Sequence, residues 1–258
     1  RAFESESISH VYDRVDSVAD FEIVQSELIL KDIESVEKRI GSVEKMSRIG
    51  DKEAAKEYEL LKKILENLNN EIPVVDMNLT KEESDIIYEL WLLTSKKRLF
   101  ILNNKAGLNN ERVNKWKEEL EEKTKDMVLI VDVKLIDDMV GMSKEEVNEY
   151  VSMLDEKPTT MEDVIVAAFK CLNLITFYTG SEKECNAWSI VNGSTVKEAA
   201  GAIHTDLEKG FVTADVVNLE SMLEVGGWVN AKEKGIVKNQ GKEYIVKDGD
   251  YIIILANK

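Results

Sequence analysis

The chain has 258 residues, 43% of them hydrophobic, and 50 acidic against 34 basic residues give it a formal net charge of −16. That apolar share is too high for a disordered acidic tail, and no apolar run approaches the roughly 20 residues needed to span a bilayer. Only two cysteines, Cys171 and Cys185, exclude a disulfide scaffold and point to a reducing compartment, and no long segment is basic enough to bind duplex DNA. From Asp20 to Ile49 the sequence has helical period, with Ile29, Ile33, Val36, Ile40 and Val43 at the spacing of a coiled-coil seam. Gly50-Asp51 breaks the pattern, and Ala54, Tyr58, Leu61, Leu65 and Leu68 repeat it, so an antiparallel helical hairpin is predicted over residues 20–72. Thr80 with Glu83 forms a capping box that opens a helix predicted through Leu93. Leu99 to Leu102 is a predicted buried strand with an exit loop from Asn103 to Gly107. A charged helix follows from Glu111 to Lys123, then a second strand from Met127 to Val133. Ser143 with Glu146, and Thr160, cap two further helices. This alternation predicts an α/β domain with a parallel sheet, of which two strands are only part.

From Leu174 the texture becomes β-rich. Strands are predicted at Leu174–Tyr178, Ala187–Val191, Phe211–Val217, Glu243–Val246 and Tyr251–Leu255, with a short helix at Thr195–Ala202. Glycines supply the turns, and the whole reads as a small mixed β-grasp-like domain. The chain starts at Arg1 without an apolar signal segment, and is expected to be processed or, in preference, a fragment of a longer protein.

Two histidines and two cysteines, widely scattered, do not have zinc-ligand spacing, so no metal site is expected. His204 stands without a Ser or Cys nucleophile in a recognisable motif, so no catalytic residue is assigned. His204 and Lys209 are instead candidates for a partner surface. Cys171 is expected in a core helix and Cys185 on the surface. Trp188 and Trp228 are expected to pack.

Ala187-Trp188-Ser189-Ile190, Gly193-Ser194-Thr195 and the long block Ala199-Ala200-Gly201-Ala202-Ile203-His204-Thr205-Asp206-Leu207-Glu208-Lys209-Gly210-Phe211 resemble the TGS domain of the YchF-type Obg-like ATPases. So do Ala231-Lys232-Glu233, Gly241 to Val246 and Asp248-Gly249-Asp250. Upstream, Arg1-Ala2-Phe3, Glu27-Leu28 and Asp32 to Arg39 are similar to the family's entry into its helical arm. The resemblance implies a P-loop G domain carrying an inserted coiled-coil arm and followed by a TGS domain. Residues 1–19 and 73–173 would then be parts of the G domain, 20–72 the arm and 174–258 the TGS domain. It implies a cytoplasmic protein that hydrolyses ATP in preference to GTP, with Mg, and that meets the ribosome or ribosomal RNA.

No GxxxxGK[ST] motif occurs in the 258 residues. That loop cradles the phosphates and its Ser/Thr ligates Mg²⁺, so these residues alone are expected neither to hold the metal nor to hydrolyse nucleotide. By the resemblance, the base-binding corner is Asn103-Asn104-Lys105-Ala106, joined by a second loop at Asp132-Val133. Asn103 keeps the family's Asn, whereas Ala106 replaces an acid and its side chain accepts no hydrogen bond, which disfavours guanine. Asp132 replaces a small residue. The alternative reading is a non-catalytic interaction module whose coiled coil and TGS domain bind a protein or RNA partner. A TGS-bearing piece of a synthetase or alarmone enzyme fits less well, because the arm precedes a strand and an Asn loop.

Overall fold

The computed structural model describes residues 1–5, 12, 14–105, 111–154, 157–181 and 184–257. They divide into two compact units, residues 1–164 and 165–258.

The first unit is dominated by α1 (Ser17–Ile49) and α2 (Lys52–Asn69). Asp16 caps α1 by accepting from the Ala19 N–H. Gly50 ends it at φ 96°, where its N–H reaches Ser47 O and the Asp51 N–H reaches Met46 O. This paired closure needs a left-handed residue, which glycine supplies without cost. Asp51 then caps α2 through the Glu53 and Ala54 amides. The predicted seams are the ones that pack. Ile29, Val36, Val43, Leu61 and Leu68 are buried in one cluster, and Ile33, Ile40, Tyr58 and Leu65 flank it. Arg39 clasps Glu57 across the pair.

The cluster continues past the helices to Val74, Ile87 and Leu92. The Thr80–Glu83 capping box forms as predicted, but α3 is only Lys81–Ile87. The helix does not reach Leu93. It tightens into a 3₁₀ turn at Tyr88–Leu90, and Trp91 takes φ 51°, ψ 37°, which no helix accommodates. A second 3₁₀ turn covers Leu93–Ser95.

Strand β1 (Phe100–Asn103) pairs in parallel with β2 (Val128–Val131), with Asn103 opposite Val131. Between them lies α4 (Glu111–Thr124), which buries Val113 and Leu120 against Leu102 and Val128. The second strand ends two residues before the predicted limit. Asp132 turns the chain into α5 (Val133–Asp138) by accepting from the Leu135 N–H at 2.9 Å. Helix α6 (Lys144–Ser152) begins at the predicted Ser143–Glu146 box. Thr160 and Asp163 exchange hydrogen bonds at the start of α7 (Met161–Cys171), which crosses the boundary between the units.

The second unit is a five-stranded mixed sheet in the order β4-β3-β7-β5-β6. Its strands are β3 (Leu174–Gly180), β4 (Cys185–Val191), β5 (Phe211–Asn218), β6 (Lys238–Gln240) and β7 (Asp250–Ala256). Among the described residues of this sheet, only β3 and β7 are parallel neighbours. Helices α8 (Val196–Ile203) and α9 (Thr205–Lys209) precede β5, and α10 (Leu219–Glu224) and α11 (Trp228–Glu233) follow it. Phe177, Ile190, Val196, Ala199, Ala214 and Ile252 form its core. The predicted strand at Glu243–Val246 is not one. Its backbone bonds go to the Ser194 turn and to Val196, leaving a single bridge between Ile245 and Thr195. The strand that borders β5 at that edge is β6 instead. Helices α9 to α11 were also beyond the sequence reading, being too short to show a period.

Candidate functional site

The parallel pair β1–β2 places two loops side by side at the C-terminal ends of its strands, where ligands of α/β sheets sit. Two backbone bonds fix this end, and a third closes the opposite one. The Ala2 N–H donates to Asn103 O at 2.8 Å, the Asn104 N–H donates to Val131 O at 2.8 Å, and the Phe100 N–H donates to Met127 O at the other end. The Asn103 carboxamide then closes the corner. Its Oδ1 accepts from the Val133 N–H at 3.3 Å, tying the first predicted loop to the second.

With Oδ1 engaged by the Val133 N–H, the donors that Asn103 can offer a ligand are those of its NH₂. Asn104 is buried at 8% exposure, while Lys105 is exposed. Val133 is exposed, which makes it an apolar surface beside Asn103. Asp132 is engaged as the cap of α5. Ala106 lies outside the described residues. Of the six predicted positions, the structure therefore brings Asn103 and Val133 into contact, with Asn104 and Asp132 beside them in the chain.

His204 and Lys209 lie in the second unit. His204 closes α8 and opens α9, where its Nδ1 accepts from the Asp206 N–H at 3.1 Å. The Asp206 carboxylate is 3.6 Å from the same nitrogen. This local bond accounts for the imidazole as a cap. Lys209 is exposed at the last position of α9. His10 lies outside the described residues. Cys171 is half-buried rather than core, because α7 exposes much of its surface, and Cys185 is exposed as expected. Trp188 packs on the second unit's core and donates from Nε1 to Thr179 Oγ1 at 2.8 Å. Trp228 packs against the Tyr251 ring. Among the described residues, no group of three or more His, Cys, Asp or Glu side chains is placed to hold a metal ion.

One polar centre escaped the sequence reading. Asp32 is 1% exposed within α1. Its Oδ1 accepts from the Leu93 N–H at 2.7 Å, and its Oδ2 from the Thr94 N–H at 2.8 Å and the Thr94 hydroxyl at 2.6 Å. The Thr94 hydroxyl in turn accepts from the Val74 N–H at 3.2 Å. The signal was available, since Asp32 lies three residues after Ile29 and four before Val36, on the apolar seam itself.

The comparisons with known proteins agree over almost the whole chain. A family model named YchF-GTPase_C, described as a protein of unknown function (DUF933), matches residues 174–257. The chain is 37% identical to the ribosome-binding ATPase YchF of Bacillus subtilis, over 98% of its own length and 70% of that protein. It is 36% identical to the Shigella flexneri protein of the same name, over 100% and 71%. The structure of the Schizosaccharomyces pombe YchF GTPase superposes with a TM-score of 0.85 at 27% identity, covering 98% of this chain and 70% of that one. Among the described residues no helix is long and apolar enough to cross a membrane. With relatives this similar over its whole length, the chain belongs to the YchF family.

Proposed function

We propose that this chain forms the base-recognition corner, coiled-coil arm and TGS domain of a cytoplasmic, ribosome-associated P-loop protein that binds and hydrolyses ATP in preference to GTP. On this reading residues 1–19 and 73–173 belong to the G domain, 20–72 are the arm, and 174–258 are the TGS domain. The observation that carries it is the Asn103–Val133 contact at the ends of two parallel strands, in a chain so similar to ribosome-binding ATPases. Asn103 offers its amide to the purine and Val133 lines the ring's edge, with Asn104 and Lys105 completing the loop. Ala106 removes the acid that would select guanine. The phosphates and Mg²⁺ need a GxxxxGK[ST] loop that these 258 residues do not contain.

The test joins this chain to the part of the Bacillus subtilis relative that it does not cover. The joined protein is expected to bind ATP more tightly than GTP and to hydrolyse it. Asn103→Ala is expected to weaken ATP binding by roughly five- to tenfold, the worth of one hydrogen bond. Failure to bind either nucleotide would favour the second reading, a non-catalytic arm and TGS module holding a protein or RNA partner. The missing phosphate loop motif is the observation behind that alternative.

A further inference from the structure

Where α3 gives out, the chain presents two aromatic rings to solvent. Tyr88 is 68% exposed and Trp91 65%. Their centroids are 5.5 Å apart at an interplanar angle of 46°. Trp91 is held at φ 51°, a left-handed conformation that is unfavourable for a bulky residue. Its neighbours show why it points outward. Leu90 packs on the arm's cluster and Leu92 is buried in it, so the residue between them is turned away.

The charges around the rings are uneven. Glu82 and Glu83 of α3 are drawn to Lys56 and Lys63 of α2, and Glu89 interacts with Arg39 of α1. Asp85 is the acid of α3 left without an ion pair among the described residues. The Lys96 ammonium lies over the Trp91 ring, 5.4 Å from its centroid, and exposed Lys97 follows it in the chain. Neither lysine forms an ion pair among the described residues. Two exposed rings, with one cation over Trp91 and a second next to it in the chain, match an unstacked base followed by its phosphates.

We propose that Tyr88, Trp91, Lys96 and Lys97 form a docking platform for single-stranded RNA, with a base stacked on Trp91 and phosphates at the lysines. This deepens the ribosome-association part of the proposed function and does not rest on the Asn103 corner. Because the chain as a whole is strongly acidic, binding is expected only from this local patch and falls as salt rises.

The test is fluorescence anisotropy of a labelled oligoadenylate of about 12 nucleotides, within the usual span of such sites, against the full chain at low salt. Trp91→Ala and the double change Lys96→Glu, Lys97→Glu are expected to weaken binding at least roughly tenfold. A duplex of the same length is expected to bind at least as weakly as these variants, since its bases are stacked. Trp91→Gly separates binding from folding. Glycine adopts the left-handed conformation freely, so the urea midpoint is not expected to fall while RNA binding is lost. No binding by the parent chain, unchanged binding by the variants, or equal binding of duplex would overturn the platform. ATP binding by the joined protein described above is expected to survive the Trp91 changes, so either proposal can fail alone.

Discussion

Replacing Asp32 by Ala is expected to cost the first unit about 3 kcal/mol of stability. The carboxylate satisfies two backbone N–H groups and one hydroxyl at a place closed to water. Alanine leaves those three donors facing an apolar methyl, and each unsatisfied buried donor costs roughly 1–3 kcal/mol. Part of this is offset because the desolvation of the carboxylate is also removed. The Thr94 hydroxyl keeps its acceptor role toward the Val74 N–H, which limits the damage further. Asp32→Asn is intermediate, at about 1–2 kcal/mol, since its oxygen still accepts from the Leu93 N–H while its NH₂ faces the Thr94 N–H. Urea unfolding gives the magnitude, and amide exchange at Val74, Leu93 and Thr94 gives the location. Protection at Leu93 and Thr94 is expected to fall more than at the α2 seam residues Leu61 and Ile64. An Asp32→Ala chain within about 0.5 kcal/mol of the parent would refute the reasoning, since surface changes alone give that much.

Arg98 is 17% exposed in its side chain and is held by both carboxylate oxygens of Asp76, at 3.0 and 3.1 Å, and by Asp126 at 2.7 Å. Arg98→Ala is expected to lower stability by about 2 kcal/mol, and Arg98→Lys to recover less than half of it, because an ammonium cannot serve two carboxylates in a planar fork. Full recovery by Lys in the same urea titration would show that only charge matters there. At Gly210 an added Cβ would fall within the contact distance of the Asn257 carbonyl oxygen, while Asn257 N–H donates to Gly210 O at 2.8 Å. Gly210→Ala is therefore expected to destabilise the second unit by about 2 kcal/mol, read as a lower thermal midpoint, and an unchanged midpoint would mean that the chain end yields freely. Burial, and then the hydrogen bond to Asp250, push the Tyr244 hydroxyl up to about 12. A raised folded value means that stability is intact below the unfolded value of about 10 and is lost as pH rises through about 12. The urea midpoint of the second unit should fall across that window, and less steeply in Tyr244→Phe. Equal slopes would contradict the assignment.

The paired helices α1 and α2 were legible because period is a strong signal over long helices. Ile29, Val36, Val43, Leu61 and Leu68 were named from spacing and are buried in the cluster. The capping boxes at Thr80 and Ser143 were legible because the pattern Ser or Thr with Glu three residues on has one use. The end of α3 was not. No Gly or Pro follows Leu90, and the helix stops because Leu92 is drawn into the arm's cluster, a tertiary cause. Glu243–Val246 alternates as a strand does, yet its bonds are taken by the turn at Ser194. At the candidate site the two loops could be located from the chain. The bond from the Val133 N–H to the Asn103 side chain could not, because it depends on the register of β1 against β2.

The stretch from Trp91 to Asn104 joins the arm to the strand end with anchors of different kinds. Leu92 is held by apolar packing, Thr94 by the buried carboxylate of α1, and Arg98 by two acids from outside the stretch. Phe100 to Asn103 then lie in register with Val128 to Val131, and the Asn103 side chain reaches Val133. No two successive anchors are more than four residues apart. The outward turn of Trp91 occurs at the arm end of the same stretch. Trp91 and Asn103 are thus the two ends of one segment, held between them at Leu92, Thr94 and Arg98 and by the register of β1 against β2.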